Sequence, residues 1–174
     1  AMGRRLHRFA RGQDDRRVEP DEAAKSVSAE TTFERDIAEP GELLRRLWPL
    51  CEKVARRLKA GGHQGASVVL KLKTADFHLL TRSRRLESGT QLAEEIYRAS
   101  QPLLEREADG RAFRLIGVGC ADLHPAEAAD LGDLLDPERG RRARVERAMD
   151  AIRARQGEDA IKKGRSLPAA PKPA

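Results

Sequence analysis

The most restrictive feature of this chain is the order in which two hydrophobic periods succeed one another. From Lys25 to Phe33 the residues alternate, with Val27, Ala29, Thr31 and Phe33 on one side and Ser26, Ser28, Glu30 and Thr32 on the other. A period of two marks a half-buried strand. The period then changes: Leu43, Leu44, Leu47, Cys51, Val54, Ala55 and Leu58 recur at helical spacing between Pro40 and Ala60. Pro40 suits a first helical turn, and Gly61-Gly62 supplies a stop. Pro49 lies inside the pattern and predicts a kink or local defect there. Val68, Leu70 and Leu72 alternate again, with Lys71 and Lys73 on the opposite side. After a turn at Thr74-Ala75-Asp76, a third strand is expected from about Phe77 to Leu86. Ser88-Gly89-Thr90 is read as the cap of a second helix over about 90–107, with Leu92, Ile96, Ala99 and Leu103 as its core stripe. A turn at Asp109-Gly110 leads to a fourth strand from Phe113 to about Cys120.

The order is β-α-β-β-α-β, an α+β sandwich with two helices on one face of a four-stranded antiparallel sheet, as in ferredoxin-like folds. One layer of helices covers one sheet face and leaves the other to solvent or a partner. The domain itself is expected over 25–120. The flanks are polar: charged residues make up 36% of the 174-residue chain and aromatic residues 3%. Residues 1–24 read as an arginine-rich linker with a helical remnant at its start. Residues 121–137 form an acidic linker. Residues 138–156 read as a basic helix with a narrow apolar stripe of Val145, Met149 and Ile152; its arginines suit contact with DNA, contact with another protein or, ahead of both, plain solvation. The final GRSLPAAPKPA is too rich in proline and alanine to hold structure. The opening Ala1-Met2-Gly3 reads as an internal start, so the chain is expected to be part of something larger.

A net charge of +6 favours polyanionic partners, nucleic acid ahead of a membrane surface. No segment is long and apolar enough to span a bilayer. Cys51 and Cys120 stand in apolar surroundings with no ligand spacing, and the four histidines are scattered, so buried thiols are expected and a zinc site is not. Lys71, Lys73, Arg82 and Arg84 are expected to project from the uncovered sheet face, beside the hydroxyls of Ser26, Ser28 and Thr32. Guanidinium and ammonium groups among small hydroxyls suit phosphate oxygens. The face lacks the aromatic pair that stacks bases in RNA-recognition sheets, so the pattern favours tracking of a duplex backbone. The same pattern also fits a solvated sheet face, and Glu30 on it leans that way.

These residues resemble a known family. The run Lys25-Ser26-Val27-Ser28-Ala29-Glu30-Thr31-Thr32-Phe33 is similar to the start of the little-finger domain in Y-family translesion DNA polymerases of the DNA polymerase IV type, with Ser28 in place of the family's usual glycine. Val69-Leu70-Lys71-Leu72-Lys73, then Asp76-Phe77 and Thr81-Arg82-Ser83, resemble its second and third strands, and Arg114-Leu115-Ile116-Gly117-Val118-Gly119 its fourth. Leu6 through Gly12 resemble the end of the thumb, and Asp150 through Arg155 with Gly157 through Gly164 the tail of longer members.

The resemblance implies a cytoplasmic bacterial protein whose domain grips primer–template duplex along the major groove during DNA damage bypass. Lys25, Ser26, Ser28, Thr32, Lys71, Lys73, Arg82, Ser83 and Arg84 are the implied DNA contacts. It implies no catalytic centre here: the carboxylates that bind two magnesium ions belong to a palm domain, and nothing in this sequence resembles them. The remaining partners implied are the palm, fingers and thumb, and a sliding clamp taken through a peptide near the C-terminus. Leu131, Asp133, Leu134 and Leu135 stand where that peptide is expected, with Leu131 and Leu135 replacing the usual glutamine and phenylalanine. Two other classes fit less of the sequence. A free-standing ferredoxin-like adaptor for a protein partner predicts salt-insensitive binding, and a small enzyme lacks any nucleophile–base set or phosphate loop.

Overall fold

The computed structural model of this chain describes residues 2–17, 23–126 and 136–166. A short helix, α1 (Met2–Phe9), opens it, followed by β1 (Ser26–Ile37), α2 (Pro40–Ala60), β2 (His63–Thr74), β3 (Leu79–Thr90), α3 (Ala93–Glu107), β4 (Phe113–Pro125) and α4 (Glu138–Gln156), with a 3-10 turn at Gly164–Ser166. The expected β-α-β-β-α-β order is present, and the four strands run longer than their alternating segments suggested.

Every neighbouring pair of strands is antiparallel, in the order β1-β4-β2-β3. Strands β1 and β2 are therefore parallel to each other with β4 inserted between them. By the same logic β3 and β4 are parallel with β2 between them. Two split β-α-β units thus interlock, one bridged by α2 and the other by α3. A ferredoxin-like sheet inserts β3 in the first gap, so this fold shares the element sequence but not the strand order. The cause is local: the tight β2–β3 hairpin occupies the outer side of β2, and the crossover through α3 returns β4 to its inner side.

The core forms between the sheet and the two helices. Leu43, Leu47, Cys51, Val54 and Leu58 of α2, Ile96 and Leu104 of α3, Val68, Leu70 and Leu72 of β2, and Phe113, Ile116, Val118 and Cys120 of β4 are buried together. On α3, Leu104 takes the fully buried position and Leu103 only packs against the core. Helix α2 starts where Glu39 accepts backbone hydrogen bonds from Gly41 and Glu42, the latter at 2.5 Å, with Pro40 in the first turn. It continues unbroken through Pro49, where a defect was expected. Pro49 is exposed, so the hydrogen bond it cannot donate is missing on the side that water reaches. Both thiols are free and buried, and desolvation pushes Cys51 well above the ordinary thiol value and Cys120 up to about 12.

Helix α4 overturns its sequence reading. Val145 and Ile152 of the expected stripe are exposed at 48% and 38%, and the face turned inward is Arg139, Ala143, Glu146, Met149 and Arg153. That face docks on α2 and α3 through charge. Lys59 of α2 bonds Glu146 at 2.7 Å and also Asp150. Arg153 bonds Glu52 at 2.7 Å, and Arg142 bonds Glu95 at 2.9 Å and Asp136. Arg139 donates to Ser88 and to the Gly89 carbonyl. The Glu146 carboxylate also accepts from the Ala93 backbone N–H at 3.0 Å, so a side chain from α4 caps α3. The cap expected at Ser88-Gly89-Thr90 is not there: these residues end β3, the N-cap of α3 is Leu92 with no side-chain cap bond, and Thr90 accepts from the Leu92 N–H at 3.0 Å.

Residues 164–166, expected to lack structure, lie against the helical layer. Lys163 and Arg165 stand 4.9 and 4.5 Å from the Trp48 ring centre, and Arg165 is 4.8 Å from that of Tyr97. Both cations also bond Glu94 at 3.1 Å. Burial works to raise the pKa of Glu94, but Lys163, Arg165 and Arg98 outweigh it and hold the carboxyl below its usual value.

Two outcomes follow. A Cβ on Gly65 would sit 2.4 Å from the Cys120 Cβ, so Gly65→Ala should cost about 1–3 kcal/mol in urea unfolding; an unchanged midpoint would show that β2 relaxes there freely. Trp48 is the only tryptophan. The double change Lys163→Ala with Arg165→Ala should therefore red-shift its emission and raise acrylamide quenching, and unaltered fluorescence would mean the tail does not cover it.

Candidate nucleic-acid interface

Residues directly opposite one another in antiparallel strands share a face. The registers therefore define the uncovered face row by row. Glu30, Gly117, Lys71 and Thr81 form one row across β1, β4, β2 and β3, and Ser28, Gly119, Val69 and Ser83 the next. On either side lie Thr32, Leu115, Lys73 and Leu79, and then Ser26, Ala121, Ser67 and Arg85. Adjacent strands are about 4.8 Å apart, so these rows present a surface roughly 15 Å wide.

Ser26, Ser28, Thr32, Lys71 and Lys73 stand on this face as the alternation required, and Ser83, which the resemblance alone had named, stands there too. Arg82 and Arg84 do not. Their partners are Leu70 and Val68, both core residues, which places these arginines on the helix side of the sheet. Arg82 accordingly bonds Glu107 at the end of α3, at 2.7 Å. The third strand misled because, at the sheet edge, both of its faces are wet and carry polar residues, so no alternation reveals its phase. Once β2 fixes the register, the odd-numbered Thr81, Ser83 and Arg85 face outward. Lys25 is exposed immediately before β1. Leu131, Asp133, Leu134 and Leu135 lie outside the described residues.

Two residues that the sequence marked only as part of the fourth strand, and not as site residues, define the middle of the face. Gly117 and Gly119 are alternate positions of the central strand, so both side-chain gaps open on the same side. A Cβ on Gly117 would come within 2.9 Å of the Glu30 Cβ, and one on Gly119 within 2.8 Å of the Ser28 Cβ. Backbone without side chains thus forms the floor between β1 and β2, and neighbouring groups bury both glycines. Over Gly117, Lys71 reaches across to Glu30, with Nζ 2.7 Å from the carboxylate. The G-x-G spacing on a strand was the available signal, because period two puts both glycines on one face.

At the β2–β3 turn, Phe77 adopts φ 70° and is 61% exposed. Lys73 stands 4.9 Å and Arg114 4.1 Å from its ring centre. Thr74 fixes this turn: its carbonyl accepts from the Phe77 N–H and its hydroxyl from the His78 N–H, both at 3.0 Å. The turn thereby ends the face with a cation-flanked aromatic ring. Among the described residues no group of three or more His, Cys, Asp or Glu side chains is arranged to hold a metal ion.

The family described as the impB/mucB/samB family C-terminal domain matches residues 24–132. A DNA polymerase IV of Brucella melitensis is 52% identical over 163 residues, which is 94% of this chain and 37% of that protein. The DNA polymerase IV of Caulobacter vibrioides is 44% identical over 165 residues, 95% of this chain and 41% of that protein. This chain thus spans about two fifths of the length of these curated relatives. Among solved structures, the Y-family DNA polymerase chimera Dbh-Dpo4(243-245)-Dbh aligns with a TM-score of 0.54 at 17% identity, over 70% of this chain and 35% of that one, a likeness of fold. On the match to its domain and the identity to these relatives, the chain belongs to the impB/mucB/samB C-terminal-domain family, the C-terminal domain of Y-family DNA polymerase IV.

Proposed function

We propose that this chain is the non-catalytic duplex-DNA-binding part of a translesion polymerase, and that its uncovered sheet face follows the primer–template backbone. The observation that carries the reading is the set of lysine, arginine and hydroxyl side chains that flank the glycines of β4 on this one face. The glycines add no side chain of their own, while around them Lys71, Lys73 and Arg85 supply charge and Ser26, Ser28, Thr32, Thr81 and Ser83 supply short donors. Apart from Arg85, the donors on this face are ammonium groups and short hydroxyls suited to phosphate oxygens, so binding is expected to be indifferent to sequence and steep in salt. Polymerisation, with its two magnesium ions, belongs in this reading to the palm of the longer parent protein. Leu131, Asp133, Leu134 and Leu135 are proposed as a peptide for a sliding clamp, with Leu134 and Leu135 as its apolar anchors.

The registers sharpen the test. Reversing charge at Lys71, Lys73 and Arg85 should weaken duplex binding by roughly tenfold or more at low salt and flatten its salt dependence. Reversing Arg82 and Arg84, on the other side of the sheet, should have a much smaller effect in the same anisotropy titration. The opposite ranking, or binding that does not weaken as salt rises, counts against this face.

Glu30 gives a change of the other sign. It holds Lys71 in an ion pair at 2.7 Å and adds a negative charge where phosphate would lie. Glu30→Gln should therefore tighten duplex binding by about two- to fivefold, an effect that shrinks with added salt. Weaker binding would mean that the pair positions Lys71 instead of restraining it.

A further inference from the structure

Helix α4 divides its charges between two sides. Its inward side carries Glu146 and Asp150 on Lys59, Arg153 on Glu52, and Arg142 on Glu95. Its outward side carries Arg141, Arg144, Arg147 and Arg155, all exposed. Arg141 is paired with Glu138 at 3.2 Å, whereas Arg144, Arg147 and Arg155 have no ion-pair partner among the described residues. Docking through fixed ion pairs therefore does more than attach the helix. It turns every carboxylate beyond the first turn inward and leaves the outer surface with one sign of charge.

We propose that this outer surface of α4 is a second nucleic-acid-backbone site, separate from the sheet face. The helix packs on α2 and α3, which cover the sheet side away from the open face, so the two basic surfaces point to opposite sides of the domain. From Arg144 to Arg155 is eleven residues, roughly 16 Å along the helix. That length spans several phosphates, whose spacing along one strand is about 3.4 Å of duplex axis. Between these arginines stand Ala148, Ala151 and Ala154, too short to hold a polyanion away from the guanidinium groups. The same surface suits a membrane poorly. An interfacial helix buries a broad apolar side rich in large residues, and here the only large apolar residues facing outward are Val145 and Ile152. The rest of the apolar surface is committed to the domain.

The site can be tested on the whole 174-residue chain with random-sequence duplex, by anisotropy over a range of salt and by energy transfer between donor- and acceptor-labelled duplexes. The triple change R144E/R147E/R155E, and the milder R144Q/R147Q/R155Q, should lower affinity several-fold. The slope of log affinity against log salt should fall by roughly 2–3, about 0.9 for each phosphate no longer neutralised. Energy transfer, which needs one molecule to hold two duplexes, should appear with the unaltered chain and vanish with either variant. Circular dichroism and Trp48 emission should stay unchanged, because these positions are exposed. In K71E/K73E/R85E a residual affinity should remain, to be removed by adding the α4 substitutions. An unaltered salt slope overturns the proposal, as does energy transfer that survives the α4 changes. If the α4 variants stop sedimenting with phosphatidylglycerol vesicles yet still bind duplex, the proposal is also overturned, in favour of a lipid surface. If the sheet variant binds as tightly as the unaltered chain while the α4 variants do not, the sheet reading fails and the α4 site stands.

Discussion

The register of β4 is the constraint on which the rest of the domain depends. This strand is paired on both edges, with β1 and with β2, and each of its residues therefore fixes the facing of two neighbours. Because side chains alternate, a slip of one residue would drive Gly117 and Gly119 into the core and Ile116, Val118 and Cys120 into water. Phe113, Ile116 and Cys120 are fully buried, so such a slip is opposed by several large apolar groups at once. The same pairing that buries those groups leaves the glycines outward. Core and candidate interface are thus two sides of one registration.

The second constraint is electrostatic. A pair of helices on a sheet leaves its own outer surface exposed, and here α4 and the 3-10 turn cover it with ion pairs where an apolar seam was expected. Buried charge is stabilising only when its partners are all supplied. Lys59 and the Ala93 backbone N–H partner Glu146, although burial still outweighs them and holds its carboxyl above the usual value. Such contacts are directional, so they fix the rotation of α4 about its axis more tightly than a greasy stripe would. That rotation is what separates the inward and outward arginines.

The apolar residues that end in the core declared themselves by period: Leu43, Leu47, Cys51, Val54 and Leu58 on α2 and Val68, Leu70 and Leu72 on β2. The bounds of α2 were legible because proline and paired glycine act locally. Arg82 and Arg84 were misplaced because an edge strand with two wet faces has no phase of its own. Arg139, Glu146 and Arg153 were unreadable as a docking face, since charge gives no sign of burial until its partner 50 to 100 residues away is known.

The sequence by itself determined the order of elements, the core stripe of α2 and all but Leu103 of that of α3, the phase of the first and second strands, and a basic balance suited to a polyanion. These follow from local periodicity and from the backbone limits of glycine and proline, which act within a few residues. Tertiary structure alone decided the strand order, the facing of β3, and the face on which α4 docks. Each of those depends on pairing between residues distant in the chain, and neither period nor composition carries that information.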